Sequence, residues 1–189
     1  METKRLFIAI KPPQDFIQSL ITYQKDYLNY PCFRQLNEEF LHLTLIFLGS
    51  IKKEDISKII DALKTISKKY HPFLITFKKF DYGPIQKSPR LVWLEGETPK
   101  ELLLLKEDLE KELEKNKISF KKEERDFKAH ITVSRIKKDF SKYLPPSEQI
   151  KKEVKLEFLA DSLILMESKL HPTGARYYQI ETFNLNKDK

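Results

Sequence analysis

The sequence predicts alternating strands and helices arranged in two similar halves, and two observations indicate this. Short apolar runs rich in β-branched residues alternate with segments whose apolar residues recur every three or four positions, the patterns of buried strands and amphipathic helices. The order strand, helix, strand then starts again: Arg5-Leu-Phe-Ile opens the first round and Arg90-Leu-Val-Trp the second. The turn-rich segment 81–89 is the predicted junction. We therefore expect residues 1–189 to form one domain with two similar lobes packed on each other.

The first half is predicted to contain three strands and two helices. Pro12 and Pro13 end the first apolar run, and Gly49 is expected to end the second strand. Apolar residues at helical spacing, such as Ile59, Leu63 and Ile66, predict the second helix. In chain order the predicted elements are strand 6–10, helix 14–28, strand 41–48, helix 53–70 and strand 73–80.

The second half begins with the same plan and then adds strands. Leu102, Leu105, Leu109 and Leu113 recur at helical spacing and are expected to point inward. The elements predicted are strand 90–94, helix 99–116, strand 129–136, strand 154–158, and two later strands at 161–166 and 177–185.

Composition limits the kind of protein and its surroundings. Thirty-five Lys and Arg against 28 Asp and Glu give a net charge of +7, which favours phosphate-bearing partners. Cys32 is the single cysteine, so the chain can form no internal disulfide, which fits a reducing compartment. No run resembles a signal peptide or a membrane span. We therefore expect a cytoplasmic protein. The sequence has four glycines and no glycine-rich loop, which argues against a nucleoside triphosphatase.

Two of the four histidines lie in the same local setting, Leu41-His42-Leu-Thr44-Leu and Ala129-His130-Ile-Thr132-Val. In a strand, residues i and i+2 point to the same face, so each histidine is expected beside its own threonine hydroxyl. A single His-x-Thr is more often a hydrogen-bonded core element than a catalytic one. Two copies at matching places favour catalysis, because a symmetric core does not require histidine twice.

This set of side chains suits in-line displacement at phosphorus. One neutral imidazole can accept a proton from water while a protonated imidazole donates one to the leaving oxygen, since the ordinary histidine pKa lies near working pH. The hydroxyls of Thr44 and Thr132 can hold the non-bridging oxygens. These residues alone do not decide which histidine is the acid, and no metal or other cofactor is expected.

The segments His42-Leu-Thr-Leu-Ile-Phe-Leu-Gly49 and His130-Ile-Thr-Val-Ser-Arg-Ile136 resemble the paired motifs of the 2H phosphoesterases, and within them the LigT/ThpR group of RNA 2′,3′-cyclic phosphodiesterases, once called 2′-5′ RNA ligases. The resemblance extends to Arg5-Leu-Phe-Ile-Ala-Ile, Ser88–Trp93 and Ser168–Tyr177. It implies an α+β fold whose two pseudo-symmetric lobes place antiparallel sheets around a central groove, with helices outside. It also implies hydrolysis of a cyclic phosphate to a 2′-phosphomonoester, with His42 as proton donor and His130 as proton acceptor.

Two further site residues are expected from the same resemblance. Arg135 would bind phosphate through its planar guanidinium, and Phe47 would stack on a nucleobase. Each lies five positions after its histidine, an odd offset that sends a side chain to the opposite face of a regular strand. A bulge or a strand end must turn both residues inward, or they pack in the core or at the surface instead.

The sequence leaves alternative functions open. The expected partners are RNA 3′ ends or cyclic nucleotides, and the protein is expected to be a monomer that does not bind membranes. A 2H esterase acting on a small substrate, such as an ADP-ribose cyclic phosphate, would carry the same motifs. A binding module without turnover is a further alternative, although it would not need both histidines. The sequence contains nothing that resembles a nucleotidyl-transfer lysine motif, so it gives no support to ATP-dependent ligation.

Overall fold

Strands and helices follow one another in the predicted order in the computed structural model, which describes residues 2–84, 89–123, 125–140, 143–172 and 174–188. Part of the predicted junction, residues 85–88, lies outside these ranges. The bounds are β1 Thr3–Ile10, α1 Gln14–Tyr27, β2 Phe33–Gln35, β3 Leu43–Lys52, α2 Ile56–Lys69, β4 Phe73–Gly83, β5 Leu91–Gly96, α3 Lys100–Lys115, β6 His130–Ile136, α4 Ser147–Ile150, β7 Lys152–Ala160, β8 Ser162–His171 and β9 Gly174–Asn184.

The structure contains two additional short elements, and several strands are longer than predicted; β8, for example, ends at His171 and not at residue 166. The three-residue β2 and the four-residue α4 were not predicted, because so few residues show no periodicity. The strand predicted to stop at Gly49 continues to Lys52. Gly49 adopts φ +75 at a register irregularity, so this glycine accommodates a bulge inside β3 and does not end the strand.

All strand pairs are antiparallel and form one sheet in the order β7-β4-β5-β6-β3-β1-β8-β9, with β2 also paired to β6. The central neighbours β3 and β6 share a single residue pair, Leu43 with Ile131. The sheet thus has a first part (β3, β1, β8, β9) and a second part (β6, β5, β4, β7). The α+β architecture is confirmed, and the two antiparallel sheets that were expected are joined at this one pair.

The two parts of the sheet do not coincide with the two halves of the chain. β4 belongs to the first half of the sequence but pairs with β5 and β7 in the second part. Conversely, β8 and β9 come from the second half and extend the first part next to β1. The halves of the chain therefore exchange strands between the two parts of the sheet, because short connections favour pairing between successive strands such as β4 and β5.

The first two helices both belong to the first half of the chain but cover different parts of the sheet. α1 follows β1 but covers the second part, where Phe16 contacts Phe77 and Phe158 at ring-centroid distances of 5.4 and 4.9 Å. Tyr23 stacks on Phe80 at 3.5 Å. α2 packs against α3 and against β8 and β9 in the first part of the sheet. The helices thus bury one face of the sheet, and His42 and His130 lie on the other, which we call the site face. No helix in the described ranges is long and apolar enough to cross a membrane.

Candidate active site

The two His-x-Thr motifs meet at the centre of the sheet. Leu43 and Ile131, the middle residues of the motifs, are the one pair joining β3 to β6, and both are fully buried on the helix side. In an antiparallel register this pairing sets His42 opposite Thr132 and Thr44 opposite His130. Two imidazoles and two hydroxyls therefore surround one location on the site face, and all four side chains are partly exposed.

Each motif contains a bulge three residues after its histidine. In β3 the register with β1 passes from Thr44 to Ile46 and leaves Leu45 as the extra residue. In β6 the register with β5 passes from Thr132 to Ser134 and leaves Val133 extra. One extra residue reverses the side-chain alternation that follows. Phe47 and Arg135 are thereby turned to the site face despite their odd offset.

The repeat also has a different alignment from the one that the sequence suggested. Phe7 is the partner of Phe47, and Leu91 is the partner of Arg135. The structural equivalence is thus Phe7 with Leu91, one residue away from the alignment of Arg5-Leu-Phe-Ile with Arg90-Leu-Val-Trp. That alignment is wrong because a shift of one residue exchanges the two faces of a strand: Phe7 is on the site face and Val92 is in the core.

His42 lies in a largely enclosed aromatic setting. Its ring stacks on Phe7 at 5.1 Å and meets Tyr177 edge-on at 5.5 Å. Burial lowers the pKa of His42 from 6.5 to about 4, and the nearby Glu39 carbonyl opposes this only in part. Nδ1 is buried and makes no hydrogen bond of standard geometry. His42 is therefore neutral at neutral pH in the protein alone.

His130 is held differently. Its Nδ1 lies 2.8 Å from the Lys128 carbonyl oxygen, and because a carbonyl oxygen can only accept, Nδ1 carries the hydrogen. The neutral ring then has its lone pair on Nε2. Trp93 packs against this ring at a centroid distance of 4.3 Å. The Trp93 indole also covers Gly83, where an added Cβ would lie 2.3 Å from the indole. The packing and the hydrogen bond fix the orientation of the imidazole.

Three buried side-chain polar atoms in the described part of the chain lack a hydrogen-bond partner, and all belong to site-face residues: His42 Nδ1, Trp93 Nε1 and Arg135 Nε. Buried polar groups are normally paired, so an unpaired group calls for an explanation. Their clustering around the paired motifs is what a site for a polar ligand would show. The donors Trp93 Nε1 and Arg135 Nε suit an anion.

The two histidines, both threonines, Phe47 and Arg135 were predicted from the sequence as site residues, and all six lie on the site face of the sheet. Phe47 is 68% exposed, with its ring 6.1 Å from that of Phe7. Phe7 and Trp93 were missed as neighbours of the histidines. The only signal for them was their position in the two repeated openings, which was aligned one residue out of register.

The other two histidines do not belong to the paired motifs. His71 Nδ1 contacts the Asn186 carbonyl at 2.9 Å, and His171 ends β8 as an exposed residue. Within the described ranges, no three His, Cys, Asp or Glu side chains are grouped so that they could hold a metal ion.

Comparison with known proteins gives consistent matches. Residues 10–93 match the family described as LigT like Phosphoesterase. The chain is 34% identical over 146 residues to the RNA 2′,3′-cyclic phosphodiesterase of Thermotoga maritima, spanning 75% of this chain and 74% of that one. It is 28% identical over 179 residues to the enzyme of that name from Archaeoglobus fulgidus, spanning 95% and 99%.

A solved structure agrees with these matches. A Thermus thermophilus crystal structure has a TM-score of 0.83 at 25% identity and covers 96% of this chain and 97% of its own. The fold, the sequence matches and the paired motifs agree, and the chain belongs to the LigT-like phosphoesterases, the family of the RNA 2′,3′-cyclic phosphodiesterases.

Proposed function

We propose that this protein hydrolyses the 2′,3′-cyclic phosphate at an RNA 3′ end to a 2′-phosphomonoester. The observation that carries the proposal is the antiparallel pairing of the two His-x-Thr motifs, which sets two imidazoles and two hydroxyls around one location. The relatives at up to 34% identity are named for this reaction. Water attacks phosphorus, the bond from phosphorus to O3′ breaks, and the phosphate remains on O2′.

His130 is the proton acceptor in this proposal. The hydrogen bond from Nδ1 to the Lys128 carbonyl leaves the Nε2 lone pair free for the attacking water. Trp93 holds the ring in place. Because Nδ1 already donates its hydrogen to this carbonyl, the imidazole needs no change of tautomer before Nε2 accepts a proton.

His42 is the proton donor to O3′ in this proposal, so its ring must be protonated when the substrate is bound. The bound substrate must therefore raise the pKa of His42. In the protein alone burial lowers its pKa to about 4, so the ring is neutral. A phosphate anion about 4 Å away contributes about 4 kcal/mol at an effective dielectric constant of about 20, or about 3 pKa units. Binding of the anion would thus bring the pKa of His42 near neutrality, where a general acid works well.

The remaining side chains bind the substrate. Thr44 and Thr132 donate hydrogen bonds to the non-bridging oxygens, and Arg135 adds a guanidinium whose buried Nε has no hydrogen-bond partner among the described residues. Phe47, 68% exposed, offers its ring to the terminal base. No step is assigned to a metal ion. Because one chain supplies both motifs, we also propose that the protein acts as a monomer, and its reduced Cys32 fits the cytoplasm.

The test is hydrolysis of 2′,3′-cyclic AMP and of a short RNA ending in a cyclic phosphate, with EDTA present and the products resolved. We expect a 2′-phosphate from both substrates. H42A and H130A should each lower turnover by about a hundredfold or more, the low end of general acid–base contributions, while remaining folded. Near-normal turnover in either folded variant would contradict the mechanism, and a 3′-phosphate product would contradict the assignment of the leaving oxygen.

A further inference from the structure

Two arginines lie side by side on neighbouring strands near the active site. Arg34 in β2 is the direct antiparallel partner of Arg135 in β6. Directly opposite residues have Cα atoms about 4.5–5.5 Å apart and side chains on the same face. Like charges in such positions are destabilising, so this arrangement needs a compensating feature.

Both side chains are directed to the site face. The residues flanking Arg34 point the other way: Phe33 is buried in the core, and Gln35 donates from Nε2 to the Gln24 carbonyl of α1 at 3.0 Å. Strand alternation then directs Arg34 away from the helices. The bulge at Val133 gives Arg135 the same direction.

No carboxylate in the described ranges forms an ion pair with either guanidinium. Among the residues that the structure describes, the single arginine in an ion pair is Arg125, which contacts Glu123 at 2.9 Å. Arg34 is exposed and leans towards the turn between β8 and β9, where a Cβ built at Gly174 would lie 3.5 Å from both terminal guanidinium nitrogens. It therefore stands between a strand of the second part of the sheet and a hairpin of the first.

We propose that Arg34 binds the phosphodiester on the 5′ side of the terminal nucleotide, next to the cyclic phosphate at Arg135. This inference rests on the proposed function and specifies its substrate class: an RNA oligonucleotide is preferred over a mononucleotide. In an oligonucleotide the two anionic groups are neighbours in the backbone, as the two guanidiniums are neighbours across β2 and β6. A mononucleotide cyclic phosphate has no second anion and leaves Arg34 without a partner.

The test compares two dinucleotides that end in a 2′,3′-cyclic phosphate, one with a natural phosphodiester linkage and one with a neutral methylphosphonate linkage. In the unaltered protein we expect kcat/KM to be about tenfold to a hundredfold higher for the charged linkage, the range for a hydrogen bond between charged groups. In R34Q this ratio should fall close to one. The slope of log(kcat/KM) against log salt should also decrease by about 0.7, the value for one phosphate contact to a single strand.

R176Q is the matched control because it removes the same charge from an exposed residue of β9 whose neighbour Tyr177 faces His42, and it should retain the full ratio. A ratio in R34Q equal to that of the unaltered protein would overturn the proposal, as would a ratio near one in the unaltered protein itself. Equilibrium binding of the corresponding dinucleotide 2′-phosphates, charged and neutral, gives the same ratio without turnover. An inactive protein would thus reject the proposed function while Arg34 remained testable.

Discussion

Replacing Gln24 tests whether a side chain of α1 maintains the bulge that directs Arg135. Gln24 is 3% exposed, and its Nε2 donates to the carbonyls of Leu36 at 2.9 Å and of Val133, the extra residue of the bulge, at 2.7 Å. In Q24L the apolar side chain fills the same space but cannot donate. Both carbonyls then lose a partner inside the protein.

The magnitude follows from these two contacts. A buried acceptor left without its donor costs about 1–3 kcal/mol. The Val133 carbonyl retains the amide of Leu36 at 3.3 Å, so its loss belongs at the lower end. We expect Q24L to lower the free energy of unfolding by about 2–4 kcal/mol in urea titrations with an unchanged m value. Because Arg135 follows the bulge, KM for a cyclic phosphate should rise more than kcat falls.

Gln18 provides the matched control on the same helix. It is exposed and contacts Glu38 at 3.4 Å, so Q18L should alter the free energy of unfolding by no more than about 0.5 kcal/mol. The reasoning would be refuted if Q24L were as mild as Q18L, or if Q24L were destabilised while KM stayed the same.

Two further predictions concern the histidines. Between pH 6.5 and 4 the unfolded chain binds a proton at His42 that the folded chain does not. The free energy of unfolding therefore falls as the pH is lowered through this range, by about 3 kcal/mol at most. Urea titrations of H42Q should lack this pH-dependent component, and NMR titration should show the pKa of His42 rising when inorganic phosphate is added. In G83A the new Cβ would lie 2.3 Å from the Trp93 indole, so we expect the free energy of unfolding to fall by about 1–3 kcal/mol. We also expect a lower kcat, because Trp93 packs against His130 and would shift. An unchanged melting temperature would contradict this packing argument.

The sequence was informative wherever a local pattern determined the structure. The helices were predicted by the spacing of residues such as Leu105 and Leu109, both fully buried, and the paired motifs by repetition. The bulges at Leu45 and Val133 leave no local mark, because an extra residue is defined only by the partner strand. For the same reason the contacts of Trp93 and Gln24 were not predictable from the sequence.

The exchange of strands between the two halves has a consequence during synthesis on the ribosome. β1 emerges before its partner strands, and within the described ranges one of its edges pairs with Ile164–Glu167 of β8, whose other edge pairs with β9. Until β8 and β9 have emerged, β1 keeps an unpaired apolar edge that can pair with other chains. The native sheet can therefore form only after β9 has been synthesised, and nascent chains stalled at residue 160 should remain sensitive to protease when the 189-residue chain is resistant.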